Sequence, residues 1–351
     1  MANEGIAKRT TYQKWLDTEG LDVVTDYMLD DVRTAPLKPW ARKGCLGVHL
    51  CMAGAEDCDG AYICEIPAGG MVKPQKHLFE EMILILSGGP GKTEVWNPGG
   101  PKVTCNWQEG SLFAVPLNTS HQHFNLGDTP VRYLAVTDAP PTIDLFHNQD
   151  FIFNNDFVFS DRFNGQEDYF SGAGQMLDEK TWDTNFVANV ETFNLQDYSV
   201  RAKGGRSIKF ELASNTMIAH ISEYPAGVYK KAHRHAPGAH VLQLCGKGYT
   251  MMWEEGKPYQ RFDWHKGSML VPPRMWFHQH FNLAEEPARY MAFRWHSKKF
   301  LPGRHFHEGV DWNVSTKLGG NQIEYEHEDS KLREIYLQEL AKVGIPFKLD
   351  K

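Results

Sequence analysis

The 351-residue chain has no apolar stretch approaching the ~18 residues that a membrane-spanning helix needs. It has no excess of positive charge either: 44 Asp and Glu stand against 37 Lys and Arg. Nucleic acids and anionic membranes select a basic face, so neither is expected as a partner. The opening stretch, Met1 to Thr11, is polar and has no apolar leader core. The six cysteines (Cys45, Cys51, Cys58, Cys64, Cys105, Cys245) contain no CxxC pair and no zinc-finger spacing. They read as reduced thiols, which points to a cytoplasmic protein.

Two things are plentiful. Hydrophobic residues make up 41%, enough for a substantial core, and the length implies two domains or one large one. Histidine is also abundant, at 16 residues. Many Pro and Gly residues fall where strands would end, and histidines grouped between such signals are the usual material of a metal site.

The chain repeats itself. Glu65-Ile66-Pro67-Ala68-Gly69 recurs as Glu223-Tyr224-Pro225-Ala226-Gly227, an offset of 158. Gly110-Ser111-Leu112-Phe113-Ala114-Val115-Pro116 recurs as Gly267-Ser268-Met269-Leu270-Val271-Pro272-Pro273, an offset of 157. His121-Gln122-His123-Phe124-Asn125 recurs as His278-Gln279-His280-Phe281-Asn282, also at 157. Val131-Arg132-Tyr133 matches Ala288-Arg289-Tyr290. The halves are two copies of one unit.

Each copy reads as β. Met82 to Leu86 and Val241 to Cys245 are short apolar runs closed by glycine. Tyr249 to Trp253 and Tyr290 to Trp295 read as further strands, and frequent Gly and Pro turns predict a sandwich or small barrel. Helices are expected outside the repeats, over Tyr12 to Asp22 and Ser330 to Val343; in the second, Leu332, Ile335, Tyr336, Leu340 and Val343 fall at helical spacing before Gly344 and Pro346. The division predicted is an N-terminal domain over 1–145, an inter-domain segment over 146–200 and a C-terminal domain over 201–351. Phe151, Phe153, Phe157, Phe159 and Phe163 make the intervening segment too apolar for a free tether, so it should pack across both units.

These residues resemble the two motifs of the cupin family. The second copy gives Gly227-x5-His233-x-His235-x4-His240-x5-Gly246 and then Gly267-x5-Pro273-x4-His278-x3-Asn282. The first gives Gly69-x5-Gln75-x-His77-x3-Glu81-x6-Gly88 and then Gly110-x5-Pro116-x4-His121-x3-Asn125. The resemblance implies a bicupin: an all-β chain of two tandem jelly-roll barrels with a few peripheral helices. It also implies a divalent metal on the motif histidines and glutamate. Two departures stand out. His240 takes the glutamate position of the second copy, and Gln75 takes the leading histidine position of the first.

Residues two apart in a strand share a face, so His233 and His235 aim into one barrel. With His240 and His278 arriving from other strands, four imidazoles are expected around one ion. In the first barrel Gln75, His77, Glu81 and His121 form a candidate second metal site, with His77, Glu81 and His121 as a two-histidine-one-carboxylate set. His240 is alternatively an acid–base group beside the metal. Arg294 is a candidate clamp for a substrate carboxylate. Tyr249, Trp253 and Trp276 are candidate pocket walls. His123 and His280 are expected further along the barrel, in structural roles, and Asn125 and Asn282 at turns. Arg304 to Glu308 is expected as a surface loop.

Imidazole ligands leave the charge of the metal uncompensated, which favours a small anionic, chelating substrate. The chain is similar to gentisate- and salicylate-type ring-cleaving dioxygenases, which are bicupins with all-histidine iron sites. That similarity implies an iron(II) dioxygenase acting with O₂ on an aromatic or enolisable hydroxy-acid, with Mn, Zn or Ni as other ions. One departure is that the family works in its first barrel, whereas the fuller histidine set here lies in the second. Two other readings are an O₂-independent isomerase or decarboxylase of a keto acid or sugar acid and a non-catalytic small-molecule binder. Bicupins commonly associate, so a homo-oligomer is expected.

Overall fold

The computed structural model describes residues 9–55, 58–236, 238–300 and 312–349. Its strands assemble into the same two-layer unit twice. In the first, Cys45–Leu50, Gly60–Ile66, Val131–Thr137, Glu81–Ser87 and Leu112–Val115 lie side by side in that order. They face a three-stranded sheet in which Gly91–Trp96 runs between Ser120–Asn125 and Val103–Trp107. In the second, Arg206–Leu212, Met217–Tyr224, Ala288–Trp295, His240–Cys245 and Met269–Leu270 repeat the order. Their facing sheet has Lys247–Trp253 between Gln260–His265 and Phe277–Asn282.

The repeated motifs have repeated physical roles. Arg132 donates to Glu65 across paired strands, and Arg289 does the same to Glu223 at 2.8 Å. Asn125 and Asn282 each accept the backbone N–H two residues on, from Gly127 at 2.9 Å and Ala284 at 2.8 Å, and so shape the following turn. In Ser120–Asn125 the buried positions are His121, His123 and Asn125, while Phe124 is only half-buried. A strand that turns its polar residues inward has an interior built for chemistry rather than packing.

The barrels are bound tightly to each other. Met28–Leu29, from the N-terminal section, pairs with Met269–Leu270 of the second barrel. Phe186–Val187, from the intervening segment, pairs with Leu112 and Phe113 of the first. One hydrophobic core runs through the contact, from Leu84 and Ile85 to Leu242, Met291 and Phe293. Glu80 of the first barrel accepts from the backbone N–H of Thr216 and Met217 in the second. Gly238 must lack a side chain, because a Cβ there would lie 2.0 Å from the carbonyl oxygen of Gly54.

The intervening segment packs across both units, as its aromatics predict: Phe163 is buried in the shared core, and Thr181–Thr184 pairs in parallel with Lys209–Leu212. Phe151 and Phe157, however, are exposed. Helix Ala139–Phe146 leads into the segment, which also contains regular elements that its composition did not announce, including helix Gln149–Phe153. The first helix spans Thr11–Glu19 and stops short of Asp22, because Gly20 takes a left-handed φ of 70°. The last spans Ser330–Val343 and lays Leu332, Tyr336 and Leu340 over the outside of the second barrel, where Tyr336 packs on Phe281. Arg304 to Glu308 lies outside the described residues.

Candidate metal centres

In the second barrel, His233, His235 and His278 converge, with one ring nitrogen from each lying within 4.8 Å of the others. His233 and His278 sit opposite each other in an isolated antiparallel bridge, their backbones hydrogen-bonded at 3.1 and 2.9 Å. The Nδ1 of His233 faces the carbonyl of Lys231 at 3.3 Å, and that of His278 faces the carbonyl of Trp276 at 3.2 Å. A carbonyl only accepts, so Nδ1 carries the proton and the Nε2 lone pair is left for a cation. Burial pushes His278 down to about 3 and His233 well below its ordinary value, so both rings are neutral at neutral pH. Neutral, oriented and converging imidazoles are what a divalent ion requires.

The first barrel brings together His77, Glu81 and His121, also within 4.8 Å. The Nε2 atoms of both histidines lie 3.5 Å from Glu81 Oε2. Their Nδ1 atoms face the carbonyls of Phe79 at 2.8 Å and Thr119 at 3.3 Å. Burial opposes the charge on Glu81, but Lys43 and the histidines outweigh it and hold the carboxyl well below its ordinary range. Tyr62 donates to the other oxygen of Glu81, and Lys43 donates to Tyr62. Three buried donor atoms (Nε2 of His77 and His121, Oε2 of Glu81) have no hydrogen-bond partner, so a cation fits this site too. Gln75 is turned away, with its amide nitrogen donating to the carbonyls of Arg42, Lys73 and Pro74 at 3.0 to 3.3 Å.

The structure corrects the reading of His240. Glu81 pairs with Thr137 and Val115. In the second barrel His240 pairs with Phe293 and Val241 with Leu270, so Ala239, opposite Arg294, is the counterpart of Glu81. A one-residue slip along a strand reverses the face. His240 accordingly points out of the barrel, where its Nδ1 meets Asp59 of the first barrel at 3.3 Å, and it is not among the three converging histidines. The same parity displaces the expected walls. Thr250 faces inward and bonds His280 at 2.8 Å, so Tyr249 and Trp253 face outward, stacked on Phe281 and Phe277. Trp276 packs on Tyr27. None of these three aromatics lines the cavity beside the triad.

That cavity measures about 170 Å³. Around the imidazoles stand Lys180, Arg201, Lys209, Lys230 and Arg294, with no carboxylate among the described lining residues. Arg294 lines the cavity, its guanidinium 4.4 Å above the ring of Trp312. Burial, followed by the field of Arg201, pushes Arg294 down to about 10. Burial and Arg294 push Lys209 down to about 8. The described walls thus present five cationic side chains to whatever enters. The matching space in the first barrel is only about 20 Å³, roughly one water. Phe79 stacks on His77, and Phe153 and Trp15 of the flanking helices close over them. One repeated feature escaped notice in the sequence: His123 and His280 are each held by a threonine that takes a tryptophan N–H, Thr93 with Trp107 and Thr250 with Trp264. The two pairs stand 157 residues apart, so the internal comparison could have found them.

Comparisons with known proteins agree with this architecture. Residues 62–137 match the model of the cupin domain. No curated protein matches the sequence. Among solved structures, oxalate decarboxylase from Bacillus subtilis at pH 4.6 is similar, with a TM-score of 0.51 and 14% identity over 78% of this chain and 77% of that one. The Bacillus subtilis oxalate decarboxylase studied for its Mn(II) centres gives a TM-score of 0.51 and 12% identity over 78% of each chain. Residues 62–137 thus match a cupin domain, and the fold, two jelly-roll barrels in tandem, is the one these solved structures share.

Proposed function

We propose that the second barrel is a metal-dependent active site for a small, multiply charged carboxylic acid, and that its reaction is an O₂-independent decarboxylation. The observation that carries this reading is the lining of the 170 Å³ cavity, with five cationic side chains beside three histidines and no carboxylate among the described residues. His233, His235 and His278 would hold a first-row divalent ion; imidazole suits iron, and a similar solved structure was studied for its Mn(II) centres. Such an ion supplies a Lewis acid for a carboxylate or carbonyl oxygen. Arg294 and Lys209 hold the remaining anionic group of the substrate, and their incomplete solvation strengthens that attraction. Solved structures that resemble this chain include oxalate decarboxylases, which supports decarboxylation.

The dioxygenase reading has less support, because Tyr249, Trp253 and Trp276, the expected pocket walls, do not line the cavity and the similar solved structures named above are decarboxylases. Protein loaded with Mn(II) or Fe(II) should be offered small di- and tricarboxylates, including 2-oxo acids, with and without air. The expected result is CO₂ release at equal rates in both. Turnover that stops without air and consumes O₂ in proportion to product would restore the dioxygenase; no turnover with any acid would remove the decarboxylase.

A further inference from the structure

Lys230 is 4% exposed, and no carboxylate pairs with it among the described residues. Its ammonium donates to the hydroxyl of Tyr290 at 2.7 Å and to that of Ser222 at 2.7 Å. All three side chains line the cavity that holds the histidine triad. A buried ammonium without a counter-ion is costly, and a barrel does not need one to fold. The first barrel makes the comparison directly. Its backbone places Val72 where the second has Lys230, since Val72 N–H donates to His123 and Lys230 N–H to His280. Strand register matches Cys64 with Ser222 and Tyr133 with Tyr290. The tyrosine is therefore present in both copies, and the lysine and serine only beside the open cavity.

We propose that Tyr290, held by Lys230, is the proton donor of the second barrel's reaction; this rests on the decarboxylase reading above. The bond between the α-carbon and the departing carboxylate breaks, and its electron pair stays on carbon. CO₂ leaves, and the phenolic proton of Tyr290 moves to that carbon. The resulting phenolate takes a proton from Lys230, and solvent water restores the ammonium, so one proton is taken up for each CO₂ released. The hydrogen bond from Lys230 to the phenol oxygen leaves the O–H free to point into the cavity, and it stabilises the phenolate that forms. Burial would push Tyr290 up, but Lys230 outweighs it and holds the phenol below its ordinary value. Burial in turn lowers Lys230, which makes it a readier source of the replacement proton.

The test uses the full-length, Mn(II)-loaded protein with Tyr290→Phe, Lys230→Met and, as control in the other barrel, Tyr133→Phe. Tyr290→Phe should lower kcat by about 10²–10⁴-fold while KM and metal content stay near wild type. Lys230→Met should also lower kcat, and Tyr133→Phe should change neither constant. A Tyr290→Phe enzyme within a few-fold of wild-type kcat overturns the proposal. An ultraviolet titration of tyrosinate needs no substrate. It should find one tyrosine ionising before the others, lost in Tyr290→Phe and moved upward in Lys230→Met. If the wild type turns over no acid, the decarboxylase reading has failed, and this titration alone decides the Lys230–Tyr290 pair: no early-ionising tyrosine overturns it.

Discussion

At the scale of single residues, position on a strand decides role more than residue type does. His233, His235 and His278 face one another, and His240, one residue past the counterpart of Glu81, faces away. His235→Ala should therefore remove metal from the second barrel and leave the first loaded, which elemental analysis of the purified variant would show as a fractional loss. His240→Ala should leave metal content unchanged and reduce stability by about 1–3 kcal/mol, because buried Asp59 loses a partner. Loss of metal in His240→Ala would place that ring back among the ligands. Lys209 offers a further check. With its ammonium pushed down to about 8 by burial and Arg294, binding of an anion such as oxalate should weaken as pH rises through that value. Affinity measured across pH by calorimetry, in wild type and Lys209→Met, would show whether the loss belongs to this side chain.

At the scale of elements, strands and helices were legible wherever the pattern was local. The strand predicted over Met82 to Leu86 is Glu81–Ser87, and the C-terminal helix falls on its predicted residues. Register was not legible, because it depends on the partner strand. Spacing alone allows three or four residues between the second motif histidine and the next ligand, and only pairing with Ala288–Trp295 shows which residue turns inward. The Lys230–Tyr290–Ser222 cluster was missed for the same reason, since its members come from three separated segments. The first helix carries a prediction of its own. Glu19, at its end, accepts from Arg42 and from Trp40, which ties the helix to the first barrel. Burial raises its carboxyl, but these bonds outweigh burial and hold it below the ordinary value. A depressed folded value stabilises fully above the unfolded one and is lost as pH falls through the folded one. Glu19→Gln should thus unfold at a lower temperature than wild type near neutral pH, with the gap closing in acid below about pH 4. A gap that persists in acid would assign the loss to packing instead.

At the scale of the whole molecule, the duplication produced two barrels of one architecture and unequal interiors. The internal repeat revealed the architecture, since offsets of 157 and 158 survive through both motifs. It did not reveal the inequality, which comes from parts outside the repeat: Trp15 and Phe153 close the first barrel, leaving about 20 Å³ against about 170 Å³ in the second. Metal should accordingly leave the two sites at different rates. Chelator added to the loaded protein should strip the second barrel quickly and the first slowly, giving two phases that merge if Trp15→Gly opens the first.

The convergence of three imidazoles in an open cationic cavity is tested most directly by anomalous diffraction from crystals of the Mn(II)-loaded protein. A peak bounded by His233, His235 and His278, absent from His235→Ala, is the predicted result; a peak between His240 and Asp59, or none in the second barrel of the loaded wild type, would contradict it.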